Sequence, residues 1–264
     1  MKPKGIYIMG LTQRTGTNFL NKLLLMHPEI ERSVHPGEDF LLTYSDLLLQ
    51  YCSQTSNKWS NTWANMDKDK YGSEFRQSFL NTLRDQIKVK TSEHITLTKT
   101  PSIEGIQNAR TIFPDFHFVI IIRDGRNTIE SLVNSFGGGY YRNMISWKKN
   151  VCIYLDNIEW ITKSSQFTIV KYEDLLSDPT NQIKRILNDA ELSEEFYPYY
   201  DIDSIPVIGS SQSNNKIGKV DWSVRIDQKS LSFKPNDRFR KWGAKQKILY
   251  MLLCKRLNKK LGYE

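Results

Sequence analysis

The sequence predicts an α/β fold: a single domain over residues 1–264, with a central parallel sheet flanked by helices. Three observations predict it. Ile6-Tyr7-Ile8-Met9 is a short apolar run that enters a glycine-containing loop and then a stretch of helical period. Phe116 to Ile122, FHFVIII, is continuous and rich in β-branched residues, the pattern of a parallel strand buried on both faces. Phe167-Thr168-Ile169-Val170 is another buried strand, again followed by helix-forming sequence. Strands that alternate with helices point to a parallel sheet between helical layers.

Length and composition bound the rest. A chain of 264 residues with 39% apolar content buries one sizeable core. It shows no internal repeat and no low-complexity tract. Its longest apolar runs are far too short to span a bilayer, and Met1 leads into a strand within a few residues, which leaves no room for a signal peptide. The expected compartment is therefore cytoplasmic. Cys52, Cys152 and Cys254 are odd in number and widely spaced, which suggests neither a disulfide framework nor a metal site. The net charge of +8 favours anionic partners, and nucleic acid, a membrane surface and a triply charged nucleotide all fit it.

The first loop is Gly10-Leu11-Thr12-Gln13-Arg14-Thr15-Gly16-Thr17-Asn18, followed by Phe19, Leu20, Leu23, Leu24 and Met26 at helical spacing. Strand, loop and helix N-terminus together make an anion site, because free backbone N–H groups and the positive end of the helix dipole point into the loop. Gly16 lets the backbone approach a phosphate closely. Thr15, Thr17 and Asn18 add side-chain donors, and Arg14 adds a full charge. A Walker A motif needs Gly-Lys-Ser/Thr at this turn; here Thr17 follows Gly16, and the cation, Arg14, precedes the glycine. An ordinary strand–turn–helix with a tight glycine turn has the same outline, so the loop alone leaves both readings open.

Arg14-Thr15-Gly16-Thr17-Asn18-Phe19-Leu20, with Leu23-Leu24 and His27-Pro28 behind it, resembles the 5′-phosphosulfate loop of sulfotransferases. These enzymes use 3′-phosphoadenosine-5′-phosphosulfate (PAPS). The family form is roughly Arg/Lys-Ser-Gly-Thr-Thr, then a hydrophobic helix and often His-Pro. A second segment, Arg123-Asp124-Gly125-Arg126-Asn127 with Ser131 on the following helix, is similar to the family's 3′-phosphate site in its Arg-Asp-x-Arg opening and its Arg-to-Ser spacing. A generic nucleotide kinase has no reason to build a second phosphate site there. Lys99-Thr100-Pro101 ends the strand that starts at His94, and it resembles a family segment whose lysine faces the transferring group. Open α/β sheets place ligand contacts at such strand ends, although a solvated strand-end lysine has the same pattern. Tyr172-Glu173-Asp174-Leu175, followed by Asp178-Pro179, also resembles the family, where the tyrosine borders the adenine. Asp178 as cap and Pro179 in the first turn open a helix over Asn181 to Leu187.

The resemblance implies a P-loop kinase-like sulfotransferase fold and in-line transfer of a sulfuryl group from PAPS to an acceptor hydroxyl or amine. Arg14, Thr15, Gly16, Thr17 and Asn18 would hold the phosphosulfate, Arg123 and Ser131 the 3′-phosphate, and Phe19 and Tyr172 the adenine. Asn214 to Trp222 looks like the loop that closes over the nucleotide, whose cytosolic animal form is Arg-Lys-Gly-x-x-Gly-Asp-Trp. Aligned on Asp221-Trp222, Lys216 keeps its place, the glycines are displaced (Gly218 is the one nearby) and the arginine is lost. Lys216 and Gly218 are the expected contacts there, with Lys219 a weaker match. A Gly-Glu shortly after the His-Pro is common in the protein-tyrosine and related branches, where the Glu is the base. Glu38 is thus the expected base, with Lys99 and Arg14 stabilising the departing sulfuryl group. His35 is the rival, since an unperturbed pKa of ~6.5 suits proton transfer near neutral pH. No metal is expected, because cationic side chains can balance the charge and no paired carboxylate and hydroxyl arrangement lies beside the loop.

The remaining segments carry plainer expectations. Glu38 and Asp39 precede a helix read over Phe40 to Leu49, where acids complement the dipole. Trp59 and Trp63 line an acceptor pocket or anchor a loop. Tyr71 to Val89 reads as a helix with Phe75, Phe79, Leu83 and Ile87 as a core stripe. Gly137-Gly138-Gly139 reads as a mobile loop with Tyr140 and Tyr141 placed to close over an acceptor. Arg142 to Thr162 reads as a long amphipathic helix, and Asp237 to Leu261 as a basic one whose apolar stripe packs on the domain; its lysines form a solvated face or meet a membrane or nucleic acid. The expected partner is a small-molecule, sugar or peptide acceptor, and not nucleic acid. Two other classes compete: an ATP-using phosphotransferase, which would need a P-loop lysine and Mg²⁺ ligands that the sequence does not show, and a non-catalytic binder of nucleotide or polyanion.

Overall fold

The computed structural model describes residues 2–34, 37–60, 62, 67–87, 94–208, 225–226 and 239–264. Five strands lie side by side, all parallel, in the order β2 (Ile30–Arg32), β3 (Ile95–Thr100), β1 (Gly5–Gly10), β4 (Phe116–Ile122) and β5 (Phe167–Lys171). In chain order the helices are α1 (Thr17–Leu24), α2 (Ser45–Ser56), α3 (Lys68–Asp85), α4 (Ala109–Ile112), α5 (Gly125–Phe136), α6 (Gly139–Lys163), α7 (Tyr172–Ser177), α8 (Pro179–Asp189), α9 (Ala244–Leu253) and α10 (Lys255–Lys260). A short antiparallel pair, β6 (Val207–Ile208) and β7 (Arg225–Ile226), stands apart from the sheet.

Alternation along the strands sorts the core into two layers. Ile6 and Ile8 of β1, with Val119 and Ile121 of β4, meet Leu20, Leu23 and Leu24 of α1 and Ile183, Ile186 and Leu187 of α8. Tyr7 and Met9, with Phe118, Ile120 and Ile122, meet Trp147, Val151 and Tyr154 of α6 and Tyr250 of α9. Both faces of the sheet are therefore covered, which is why its central strands read as unbroken apolar runs. Each such fully buried side chain contributes about 1.5–3 kcal/mol relative to exposure. The parallel arrangement brings the loops after β1, β3, β4 and β5 to one edge, where α/β sheets bind ligands.

Several local expectations change. Residues 41–44 form turns, and the helix expected from Phe40 starts at Ser45; Phe40 itself has φ of 50° and the Asp39 carboxylate takes the Leu41 N–H, so a turn displaces the first helical residues. The expected core stripe divides: Ile87, just past α3, is fully buried in the core and Leu83 packs against it, whereas Phe75 and Phe79 are half-buried and pack edge-on against Trp59 and against Tyr51 of α2, and only Leu80 of the helix itself is buried. Trp59 thus anchors its loop; Trp63 lies outside the described residues. Gly137, Gly138 and Gly139 all have φ between 70° and 77° and form a tight corner between α5 and α6, which only residues without Cβ enter cheaply. Tyr140 is already in α6, where its hydroxyl donates to Glu130 Oε2 at 2.6 Å. The basic tail is two helices, α9 and α10, that break at Cys254.

Candidate active site

The site begins where β1 ends. A Cβ added at Gly10 would lie 2.7 Å from Thr15 Oγ1 and 2.8 Å from the Thr12 carbonyl, so the loop folds back over its own start. The buried Thr15 hydroxyl donates to the Thr12 carbonyl at 2.8 Å, and its proton closes the loop. Gly16, with φ of 108°, is the N-cap of α1; no side chain caps this helix and no acid lies in its first turn. A Cβ at Gly16 would sit 2.2 Å from Cδ2 of Tyr172, the first residue after β5. The loop and the end of β5 therefore touch through a glycine that nothing larger replaces.

β4 delivers the second motif. Arg123, 6% exposed, donates from Nη1 to the Arg14 carbonyl at 2.8 Å, and its guanidinium lies 4.4 Å from the centre of the Tyr172 ring. Arg14 in turn donates from Nε to Ser131 Oγ of α5 at 3.1 Å. Two motifs 109 residues apart in the chain are thus one structure. Asn127 lies one turn before Ser131, on the same helix face. It is fully buried, and among the described residues neither Oδ1 nor Nδ2 has a hydrogen-bond partner. Leaving such groups unmet costs about 1–3 kcal/mol each.

The C-terminus braces this edge. The Asp124 carboxylate caps α5 by accepting the Arg126 N–H at 2.8 Å, and it also pairs with the Arg126 guanidinium. Asn258 of α10 accepts the Gly125 N–H at 2.8 Å. The Tyr263 hydroxyl donates to Glu173 Oε2 at 2.8 Å, while Glu173 Oε1 takes the Asp124 N–H. Burial and the neighbouring Glu173 push the Tyr263 phenol well above its ordinary range, so it remains a donor. Trp147 fills the space against Gly125, where an added Cβ would lie 2.5 Å from its ring.

One strand across, at the end of β3, Lys99 Nζ donates to Glu38 Oε1 at 2.8 Å, with the lysine side chain 10% exposed and the glutamate 34%. Asp39 fixes that pair from below. Its N–H donates to the Lys99 carbonyl, and its buried carboxylate accepts from the Tyr7 hydroxyl, Thr98 Oγ1 and the Leu41 N–H. Burial raises the Asp39 pKa against the opposing pull of these donors and of Lys99, and burial with Asp39 beside it raises that of Tyr7. Asp39 is thus a strand-end clamp rather than a complement to a helix dipole. A tyrosine inside an otherwise apolar strand is the sequence signal that points to such a buried acceptor.

The sequence model of the sulfotransferase family matches residues 3–195. The chain belongs to the sulfotransferase family. Solved structures of the same fold include the sulfotransferase domain of the Synechococcus PCC 7002 olefin synthase, at 16% identity and TM-score 0.55, over 100% of this chain and 96% of that one. The sulfotransferase domain from the curacin biosynthetic pathway aligns at 16% identity and TM-score 0.54, over 99% and 98%. A mouse sulfotransferase solved with 3′-phosphoadenosine-5′-phosphate (PAP) aligns at 10% identity and TM-score 0.51, over 97% and 88%. At these identities the likeness shows the fold. No curated protein matches the chain.

In this sulfotransferase, Arg14, Thr15, Gly16, Thr17 and Asn18 come together with Arg123, Ser131 and Tyr172 at the ends of β1, β4 and β5, and Glu38 with Lys99 at the end of β3. Phe19, at 2% exposure, packs in the same buried cluster as Tyr172, together with Ile183, Ile186 and Leu187 of α8. His27 is also structural, donating from Nε2 to the Ser193 carbonyl while Nδ1 accepts the Glu29 N–H. His35, Lys216, Gly218 and Lys219 lie outside the described residues. Asn127, Asn258, Tyr263 and the Asp39 clamp escaped the sequence reading. Among the described residues no helix is long and apolar enough to cross a membrane.

Proposed function

We propose that this sulfotransferase passes the sulfuryl group of PAPS to an acceptor hydroxyl or amine by in-line displacement. The observation that carries the reading is the Arg123–Arg14–Ser131 connection, which fuses a phosphate-binding loop to a second cationic pocket. The residues fit a nucleotide with phosphates at both ends of its ribose. Arg14, Gly16 and the N-terminus of α1 hold the 5′ end. Arg123, Ser131 and the unmet amide of Asn127 hold the 3′-phosphate. Tyr172 stacks on Arg123 and borders the adenine, and the segment of Lys216 and Gly218, which resembles the nucleotide-closing loop of the family, supplies Lys216 to the 3′-phosphate. The PAP ligand of the mouse neighbour supports this class of nucleotide.

PAPS supplies the sulfuryl group and a leaving phosphate on which negative charge collects. The chain supplies the proton acceptor and the counter-charge. Glu38 takes the acceptor's proton, and Lys99 and Arg14 offset the charge on the leaving side. Lys99 engages Glu38 through Oε1, and Oε2 has no hydrogen-bond partner among the described residues, so the pair holds the carboxylate in place with one oxygen ready for the proton. These cations take the place of a metal in the charge balance.

Titration calorimetry with PAP, PAPS and ATP tests the reading. Tight binding of PAP, weak binding of ATP and turnover that survives a chelator are the expected results. Arg123→Ala lowers PAP affinity by roughly 1.5–3 kcal/mol, the worth of a hydrogen bond to a charged group. Unchanged PAP affinity in that variant sinks the site assignment. Turnover lost to the chelator and restored by Mg²⁺ points instead to phosphotransfer.

A further inference from the structure

The tail is charged out of proportion to its length. Residues 239–264 carry eight Lys and Arg against one Glu, a net +7, while the whole chain carries +8. The structure shows how this charge is arranged. The inner faces of α9 and α10 are committed: Trp242, Tyr250, Cys254, Asn258 and Leu261 are buried against the domain. The outer face is a single stripe. Lys245, Ile248, Leu252, Lys255 and Lys259 follow at alternating three- and four-residue steps, and all are exposed. Ile248 is 51% exposed and Leu252 76%, and Met251 beside them is 49% exposed. Among the described residues, none of Lys245, Lys255, Arg256 and Lys259 makes an ion pair.

We infer that this face docks on an anionic lipid surface. A solvated cationic face needs no apolar centre, and a protein or core contact would not ring its apolar centre with unpaired lysines. The arrangement of apolar residues in the middle and basic ones at both ends is that of an interfacial helix, whose apolar side chains enter the headgroup boundary while lysines reach anionic headgroups. The occupant is fixed by charge complementarity: anionic headgroups match the lysines, and acyl chains match Ile248, Met251 and Leu252. Nucleic acid would satisfy the charges and leave the three apolar side chains idle. Because Asn258 on the inner side holds the start of α5, docking also fixes how the carboxyl edge of the sheet faces the membrane.

Co-sedimentation of the full chain with phosphatidylcholine vesicles, with and without phosphatidylglycerol, tests the inference beside binding to a duplex DNA fragment. Retention is expected on the phosphatidylglycerol vesicles and not on the neutral ones. K245Q/K255Q/K259Q weakens it at least ~10-fold, since each basic residue near an anionic surface is worth ~5-fold. I248Q/M251Q/L252Q keeps every charge and yet weakens it several-fold, which a purely electrostatic patch would not do. Both variants alter only exposed side chains, so their circular dichroism and melting should match the parent. Equal retention on the two vesicle types, an unchanged apolar variant, or tighter binding to DNA than to vesicles overturns the inference.

Discussion

The start of α5 and the hairpin of α2 and α3 are built in opposite ways. Eight of the twelve residues of α5 are buried, including Asn127 and Ser131, and its start is tied to α7, α6 and α10. α3 is half as long again, yet Leu80 alone is buried, and the helix meets α2 through ring contacts of Tyr51 with Phe75 and Phe79. Tyr44, Leu47, Tyr51 and Tyr71 are more than half exposed. The family match covers both regions, but only the first constrains its side chains through contacts on every side. A site that grips a fixed nucleotide benefits from that rigidity, whereas a loosely packed hairpin can change its side chains at little cost in stability. Substitutions at the sheet edge should therefore be severe, and substitutions in the hairpin mild.

The largest effect is expected at the border between the two, at Glu38. Loss of a general base lowers kcat by ~10²–10⁴-fold. Glu38→Gln should do so while PAP affinity, measured alongside, stays within error, because Glu38 meets Lys99 and not the Arg123 pocket. His35→Ala is the control. If that variant collapses kcat and Glu38→Gln does not, the base is His35 and the Lys99–Glu38 pair only positions the acceptor.

The two ends of β4 separate stability from binding. Arg123 follows its carboxyl end; His117, near its other end, is buried and donates from Nε2 to Thr168 Oγ1 at 2.9 Å, and Thr168 donates to Asp189. Burial lowers the His117 pKa from 6.5 to about 4, against a weaker opposing pull from Asp189. The unfolded chain takes up this proton below about pH 6.5, and the native chain does so only near about pH 4. The contribution is therefore complete above pH 6.5, falls as the pH drops, and is gone by about pH 4, a loss of about 3 kcal/mol. Urea unfolding of the parent and of His117→Gln across that range measures it. The difference between their slopes should vanish above neutrality, and parallel profiles throughout would remove His117 as the cause.

Gly16 follows in size. In Gly16→Ala the positive φ alone costs roughly 1–2 kcal/mol, and the new methyl would meet the Tyr172 ring at 2.2 Å. PAP affinity and melting temperature should both fall. Adding Tyr172→Ala should relieve the overlap but leave the backbone strain, so the melting temperature, measured against Tyr172→Ala alone, recovers only in part. Full recovery would mean that the loop conformation does not matter.

Legibility in the sequence follows contact range. β4 was plain because seven consecutive residues carry the pattern, and the Arg123-to-Ser131 pair because both lie within one strand end and one helix. Asp178 and Pro179 announced α8 through purely local chemistry, with the carboxylate accepting the Asn181 N–H. Asn258 on Gly125 and Tyr263 on Glu173 were not legible, since the contacts join residues 133 and 90 positions apart and neither residue has a local pattern of its own. The three glycines were legible only in part for the opposite reason. Composition reports freedom of the backbone, and where the fold uses it, in a corner at positive φ between α5 and α6, is set by contacts outside the triplet. β2 was missed because it is three residues long with one of them buried.

The smallest effect tests the hairpin end of the comparison. Gly72 is inside α3, where glycine is destabilising relative to alanine by about 0.8–1.0 kcal/mol. Its φ is not in the left-handed region, and the nearest atom to an added Cβ is Ser56 Cβ at 3.1 Å, at the exposed end of α2. That contact is tight but pushes on the last residue of a helix whose neighbours are largely exposed, so the two helices can part by the few tenths of an ångström required. Gly72→Ala should therefore raise stability by up to about 1 kcal/mol, the propensity gain less the cost of that shift. PAP affinity should not change, because α3 touches none of the residues around Arg123. Denaturant midpoints read the first quantity and calorimetry the second. A loss of stability would show that α2 and α3 are packed as rigidly as the sheet edge, and the contrast between the two regions would fail at the place where it makes its most exposed claim.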